Sequence, residues 1–224
     1  MANLFSDGFE SGDLSAWSSA LIDGGDLSAA VEAALHGSYG LNVLMNDTTE
    51  KSVRDDTPAA EKRYRARFYV NINSLSMEDN EEFGLMYLLN SSNIVGTTII
   101  LKYTTATGYE IIMGTKNDAG AYSYINAPNI SNGVHAIEFD WKASSAPGAN
   151  DGTSQLWIDG NLIGSGTGKD TDTRQVDYVK LGAMNIYAAI TGTFFLDDFA
   201  SNNDGSPIGL ISNGFSKLTL LGVG

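Results

Sequence analysis

Thr193-Phe194-Phe195-Leu196-Asp197-Asp198-Phe199-Ala200-Ser201 sets two adjacent carboxylates inside an aromatic strand near the end of a 224-residue chain. Strand side chains alternate between faces, so Phe195, Asp197 and Phe199 are expected on one side and Phe194, Leu196 and Asp198 on the other. Neither side reads as wet. A carboxylate held between two phenylalanines is costly unless hydrogen bonds, a cationic side chain or a metal ion compensates it. The opening of the chain supplies a partner: Leu4-Phe5-Ser6-Asp7-Gly8-Phe9-Glu10-Ser11-Gly12 is a second aromatic strand ending in an acid and a turn. Pairing the first strand with the last closes a sandwich, and Trp17 in the loop that follows is placed to cap its core.

Working inward from both ends, the chain reads as strand after strand. Arg63-Tyr64-Arg65-Ala66-Arg67-Phe68-Tyr69-Val70-Asn71-Ile72 alternates strictly, with Tyr64, Ala66, Phe68, Val70 and Ile72 on one face and Arg63, Arg65 and Arg67 on the other. The arginine side is expected to be a solvated sheet face. Further strands are expected at 83–89, 97–103, 109–115, 121–125, 134–142, 154–158, 162–164, 176–181 and 192–201, nearly all separated by turn residues. Asp159-Gly160, between Leu156-Trp157-Ile158 and Asn161-Leu162-Ile163, is the strongest hairpin signal, since a two-residue type I′ turn needs positive φ at both positions. Ala29 to Leu35 has a helical look, but His36-Gly37-Ser38-Tyr39-Gly40 stops it, and residues 46–61 read as loop or short edge pieces. So many short strands with so little helix mean one large all-β domain over residues 1–202, followed by a linker and apolar tail over 203–224.

Composition narrows the function. A formal charge of −14 lacks the basic footprint that a general nucleic-acid binder needs. No cysteine is present, which removes disulfides, thiol nucleophiles and thiolate metal sites. Neither a signal peptide nor a membrane span is read from the sequence.

Three groups of residues carry a resemblance. Phe9-Glu10-Ser11-Gly12 with Trp17 and His36-Gly37-Ser38-Tyr39-Gly40 come first, then His135-Ala136-Ile137-Glu138-Phe139 with Leu156-Trp157-Ile158-Asp159-Gly160, then Leu181-Gly182 with Phe195-Leu196-Asp197-Asp198-Phe199. In this order they resemble the laminin-G-like branch of the concanavalin A-like lectin/glucanase superfamily over roughly residues 4–201. The resemblance implies a jelly roll of two antiparallel sheets that takes ligands on a concave face or rim loops. The first and last motifs also look like those of jelly-roll carbohydrate-binding modules, whose Phe-Glu and Asp-Asp strands hold structural calcium. Calcium wants six to eight oxygens at about 2.3–2.6 Å. Its expected ligands here are Glu10 and Asp197, the carbonyls of Gly37 and Ser38, and Asp7 or Asp198; the alternative is that these acids cap turns or face water. Zinc is not expected, because His36 and His135 lack ligand spacing.

Catalysis has weaker signals. The glucanase branch carries Glu-x-Asp-x-x-Glu on one strand, whereas Glu78-Asp79-Asn80-Glu81-Glu82 here reads as a solvated run before a strand. Arg63, Arg65 and Arg67 resemble the arginine-rich strand of alginate-lyase-like members, but no Gln-x-His strand accompanies them. Gly164-Ser165-Gly166-Thr167-Gly168-Lys169 fails as a phosphate loop, with isoleucine at 163 and aspartate at 170. Sugar binding would use aromatic faces and short polar groups: Tyr103, Tyr109, Tyr122 and Tyr124 in the central strands, with Tyr87 beside them, and Asn117-Asp118 in a rim loop. The sequons at Asn46, Asn90 and Asn129 matter only on a eukaryotic secretory route, for which nothing argues.

The expectation is therefore a non-enzymatic recognition module that binds a glycan or cell-surface ligand. Residues 208–224 would attach it to other subunits of a larger assembly such as a virus particle, placing it outside a cell or on a virion surface. The alternatives are a purely structural coat, tail or decoration protein, and a divergent polysaccharide hydrolase or lyase.

Overall fold

The computed structural model describes residues 3–187 and 189–211. Its strands in chain order are β1 (Asn3–Asp7), β2 (Ser19–Leu21), β3 (Leu27–Ala30), β4 (Gly40–Met45), β5 (Lys51–Asp55), β6 (Arg63–Asn71), β7 (Glu82–Leu89), β8 (Val95–Thr104), β9 (Gly108–Lys116), β10 (Tyr122–Ile130), β11 (Val134–Lys142), β12 (Gly152–Ile158), β13 (Asn161–Lys169), β14 (Tyr178–Met184) and β15 (Gly192–Asn202). The first sheet runs β13-β12-β11-β6-β15-β4-β3, and the second β10-β9-β8-β7-β14-β5-β2. All the pairings are antiparallel, as the expected two-sheet jelly-roll sandwich requires. First and last strands pair as their sequences suggest, Asp7 opposite Phe199. Where β4 stops along β15, at Leu196, β1 takes over from Phe199 onward.

Alternation builds the core. Tyr64, Ala66, Phe68, Val70 and Ile72 are all fully buried, facing Ile99, Leu101, Ile111 and Leu181 of the other sheet. Fully burying a side chain of this size contributes about 1.5–3 kcal/mol, and one continuous cluster collects many such contributions. Trp17 caps one end of the cluster as expected, stacked on Phe9 at 5.9 Å and tilted against Phe199 at 5.2 Å, with its indole N–H donating to Asp7 at 2.8 Å. Asp159 and Gly160 take φ of 52° and 76°, the two positive values of the expected type I′ hairpin.

Three local expectations are corrected. The opening stretch does not alternate throughout: pairing between β15 and β6 shifts after Asp197, and Asp198 sits at φ 49°. This bulge adds one residue to β15, so Phe199 joins Phe194 and Leu196 in the core. Residues 46–61 contain β5, an interior strand between β14 and β2. The arginine side of β6 is not solvated, since Arg65 and Arg67 are 6% and 7% exposed. What covers them is the segment expected to leave the domain. Residues 203–211 run back over the first sheet, where Arg65 donates to the Gly205 carbonyl and Arg67 to that of Gly209. The amides of Ile208 and Gly209 donate to the two oxygens of Glu138, itself paired with Arg65 at 2.6 Å. The rest of the expected assembly tail, residues 212–224, lies outside the described residues.

Candidate functional site

The outer face of the second sheet differs. Hairpin register aligns one outward position from each strand: Tyr124 opposite Gly114, Gly114 opposite Thr98, Thr98 opposite Tyr87, Tyr87 opposite Lys180, Lys180 opposite Arg54 and Arg54 opposite Ser19. Inward neighbours Val53, Leu88, Ile99, Met113 and Leu181 are buried, which fixes the direction of the row. Across seven strands about 4.8 Å apart the row is about 29 Å long. Two glycines let its rings lie down on the sheet. A Cβ at Gly84 would enter the Tyr87 ring, and one at Gly114 would stand 2.8 Å from Thr98 Oγ1 and 3.1 Å from the Tyr124 ring. Tyr122 and Tyr124 stack at 5.8 Å with 13° between their planes, both exposed, and the Lys116 ammonium lies 5.4 Å from the Tyr122 centroid.

The middle of this row is chemically unsatisfied. Among the described residues Thr98 Oγ1 is buried without a hydrogen-bond partner, and the Tyr87 hydroxyl makes no hydrogen bond to the protein. Burial first, then the nearby Tyr122, Glu50 and Glu82, pushes the Tyr87 phenol up to about 12, so it holds its proton at neutral pH. Lys180 pairs with Glu50 at 2.9 Å, and Arg54 lies over the Tyr178 ring at 3.8 Å. Shallow hollows sit beside the row. One of about 230 Å³ is lined by Glu82, Ile100, Lys102, Ile112, Tyr124 and Asn126; another of about 130 Å³ lies against Ser52, Arg54 and Lys180. A larger hollow, about 580 Å³, lies by Lys62, Arg63 and Lys142, away from the row.

The expected sugar-binding residues divide. Tyr122 and Tyr124 stand on the open face. Tyr103 and Tyr109 sit half-buried against the core, rings 5.0 Å apart, and the Tyr109 hydroxyl donates to the Leu75 carbonyl. Asn117 and Asp118 form the β9–β10 turn, where the Arg174 guanidinium donates to their carbonyls and Asp118 accepts from Thr173. They brace the rim at the Tyr122 end. Thr98, Lys180 and Arg54 were missed. Their signal is present in the alternation of three strands, but only pairing puts them in one row.

The expected metal ligands lie along one corner, between the 34–39 loop, the turn after β1, and β15, but the ligand atoms that cluster there are those of Asp197 and Asp198 with His36, and Glu10 is not among them. Glu10 accepts from the amides of Ser38 at 2.9 Å and Tyr39 at 3.1 Å, and a Cβ on Gly37 (φ 69°) would collide with its carboxylate. Asp197 is fully buried and accepts from the amides of Leu35, His36 and Asp198 at 2.7–2.9 Å. Burial raises Asp197 to about 6, and these amides together offset only part of that. Asp198 is raised as well, by burial first, against the pull of His36, whose Nδ1 is 2.7 Å away. Ligand atoms of His36, Asp197 and Asp198 come within 4.8 Å of one another. In this arrangement Leu35, His36, Ser38 and Tyr39 aim N–H groups at the acids, so amides supply part of the compensation. Calcium with Gly37 and Ser38 as ligands requires that loop to present carbonyls instead.

No protein-family model and no curated protein matches the sequence. Solved structures do. The chain is similar to an endo-β-1,4-glucuronan lyase from the fungus Trichoderma reesei, with TM-score 0.67 and 12% identity over 90% of this chain and 96% of the lyase. It is also similar to the receptor-binding domain of botulinum neurotoxin type G (TM-score 0.54, 15% identity, 79% of this chain) and to that of a C/D mosaic serotype (TM-score 0.54, 12% identity, 79% of this chain). The chain spans only 40% and 42% of those two domains. At these identities the likeness establishes the fold. It also corrects the non-enzymatic expectation: a protein of this architecture is a polysaccharide lyase, so the missing paired carboxylates do not make the chain a non-enzyme. Acid pairs belong to glycoside hydrolysis, and elimination does not need them.

Proposed function

We propose that the chain takes an extended, uronate-bearing polysaccharide across the row on the second sheet, and that the row serves chain cleavage by elimination. One observation carries this reading: among the described residues two hydroxyls, Tyr87 and Thr98, have no protein partner in the middle of a strip of aromatic and cationic groups. Stacked Tyr122 and Tyr124 offer faces for sugar rings. Arg54, Lys102, Lys116 and Lys180 lie on or beside this face, four of only 13 Lys and Arg in a chain of charge −14, and they suit carboxylates spaced along a sugar chain. Elimination takes the proton from the carbon beside the uronate carboxylate, needs that carboxylate neutralised, and delivers a proton to the leaving oxygen as its bond to carbon breaks. The Glu82 carboxylate, in the hollow beside Tyr124, is placed to take the first proton, the cations neutralise the uronate, and the protonated Tyr87 phenol supplies the proton for the leaving oxygen. The glucuronan lyase fold supports a carbohydrate-directed reading of this architecture.

The test mixes purified protein with polyglucuronate, polymannuronate and a neutral β-glucan, following binding by calorimetry and unsaturated uronate by ultraviolet absorbance. Binding of the uronates, weakened by salt and by about tenfold in Tyr87→Phe, is expected. Preference for the neutral glucan would overturn the uronate reading, and binding without unsaturated product would overturn the elimination.

Attachment to a larger assembly, a virus particle included, is a separate proposal. Its support is the apolar composition of residues 208–224, of which the described part, 208–211, lies on its own first sheet.

A further inference from the structure

We infer that a second reactive centre lies just past the end of β10: Ser131, His135 and Asp159 form a nucleophile–base–carboxylate array suited to hydrolysing short acyl esters. Ser131 follows β10, His135 is on β11, and Asp159 is the first turn residue between β12 and β13. Ser131 Oγ lies 2.9 Å from His135 Nε2, and His135 Nδ1 lies 2.8 Å from Asp159 Oδ2. These are the two hydrogen bonds by which such an array is recognised, whatever the order of its members in the chain.

The array is held at each point. Asp159 occupies the positive-φ site of the type I′ turn, its amide donates to the Ala136 carbonyl, and its Oδ1 accepts from the Ala136 amide at 2.8 Å. Its other oxygen is thereby aimed at the imidazole and favours the proton on Nδ1; Nε2, which also lies 3.2 Å from the Ser131 carbonyl, accepts from the serine hydroxyl while unprotonated and donates to that carbonyl once it takes the proton. The His135 side chain is 13% exposed. Gly133 has no side chain to screen Ser131, whose Oγ is 3.2 Å from where a Cβ would stand. The array opens into a hollow of about 400 Å³ whose walls include Pro128, Ile130, Ile158 and Ile163. Apolar walls beside a polar array fit a short acyl chain better than a bare sugar.

The reaction balances with water as the only co-reactant. Ser131 Oγ bonds to the ester carbonyl carbon as its proton passes to Nε2. The carbon–oxygen bond to the alcohol breaks, and the alcohol leaves with that proton. Water then attacks the acyl-serine, returning one proton to Oγ by way of Nε2 and releasing the carboxylic acid. Ser131 is the nucleophile, His135 the base, and Asp159 a positioning residue.

The test uses the full chain. A fluorophosphonate probe, read by peptide mass spectrometry, is expected to modify Ser131, and p-nitrophenyl acetate and butyrate to be hydrolysed at a rate that Ser131→Ala reduces to background. Asp159→Asn keeps a residue suited to positive φ, so melting should hold while kcat falls about tenfold or more with KM unchanged. A purely structural clamp predicts the reverse: Asp159→Asn and Ser131→Ala alter melting and leave esterolysis alone. No adduct on Ser131, or equal rates in wild type and Ser131→Ala, overturns the inference. Tyr87→Phe should leave ester hydrolysis unchanged, which separates this outcome from that of the polysaccharide face.

Discussion

The two outer faces of this sandwich come from the same alternation and end in opposite states. On the first sheet Arg65, Arg67 and Glu138 are covered by residues 203–211 and largely matched, the two oxygens of Glu138 taking two successive backbone amides, with Arg67 Nε left over. On the second sheet the hydroxyls of Tyr87 and Thr98 are without protein partners among the described residues, beside exposed tyrosines. Charge density does not mark the functional face. Buried charges that are paired hold the protein's own chain, whereas unspent hydrogen-bonding capacity on an open strip is available to something else.

The largest effect should come from breaking the satisfied face. Glu138→Ala leaves Arg65 buried beside an empty space and orphans the amides of Ile208 and Gly209, so urea denaturation should show a loss of about 3–5 kcal/mol. An unchanged midpoint would mean that the pair is hydrated and the two faces are alike. Deleting residues 203–224 should cost somewhat less, about 2–3 kcal/mol, since both ions keep each other and regain water. The composition of that segment alone predicts unchanged melting, so this deletion decides between a segment that packs in cis and one that leaves. Deleting only 212–224 tests assembly: light scattering that gives a smaller particle than the full chain supports attachment through those residues, and equal masses count against it.

A smaller effect is expected at the acid corner. The folded pKa of Asp197 is raised, so its share of stability is present below about pH 4 and is lost as the pH rises through about 6; Asp198 acts in the same direction. Relative to wild type, Asp197→Asn should flatten the denaturation midpoint between pH 4 and 7 in chelator. A calcium ion at this corner reverses the sign, holding the carboxylate ionised, so added calcium would abolish the wild-type dependence. The smallest effect belongs to the open face, where Tyr87→Phe removes a hydroxyl with no partner and should shift stability by under about 0.5 kcal/mol. A clear destabilisation would show that the hydroxyl is spent inside the protein and that the contrast fails.

Much of the architecture was legible before any coordinates. Alternation placed Tyr64 through Ile72 correctly, Asp159-Gly160 gave its hairpin, and the aromatic ends paired, because period-two patterning and positive φ are local demands. The site was only half legible. Tyr122 and Tyr124 were named for stacking and do face solvent, but Tyr109 on the next strand and Tyr103 on the one beyond turned to the core edge. Four tyrosines in alternating strands look the same until the strand order says which side is covered.

By itself the sequence determined the fold class, the cysteine-free sandwich and the identity of the terminal strands. Those outcomes depend on residue type, spacing and chain order, which need no neighbours to be read. Tertiary structure alone decided the rest. The bulge at Asp198 moved Phe199 to the other face, because one added residue reverses every later side chain. Residues 203–211 buried an arginine face that composition marked as wet, and long-range register aligned Tyr124, Thr98, Tyr87, Lys180 and Arg54 from five strands. Ser131, His135 and Asp159 met by the same means. Burial and hydrogen-bond satisfaction are properties of what lies opposite a residue, and only the folded chain supplies the opposite side.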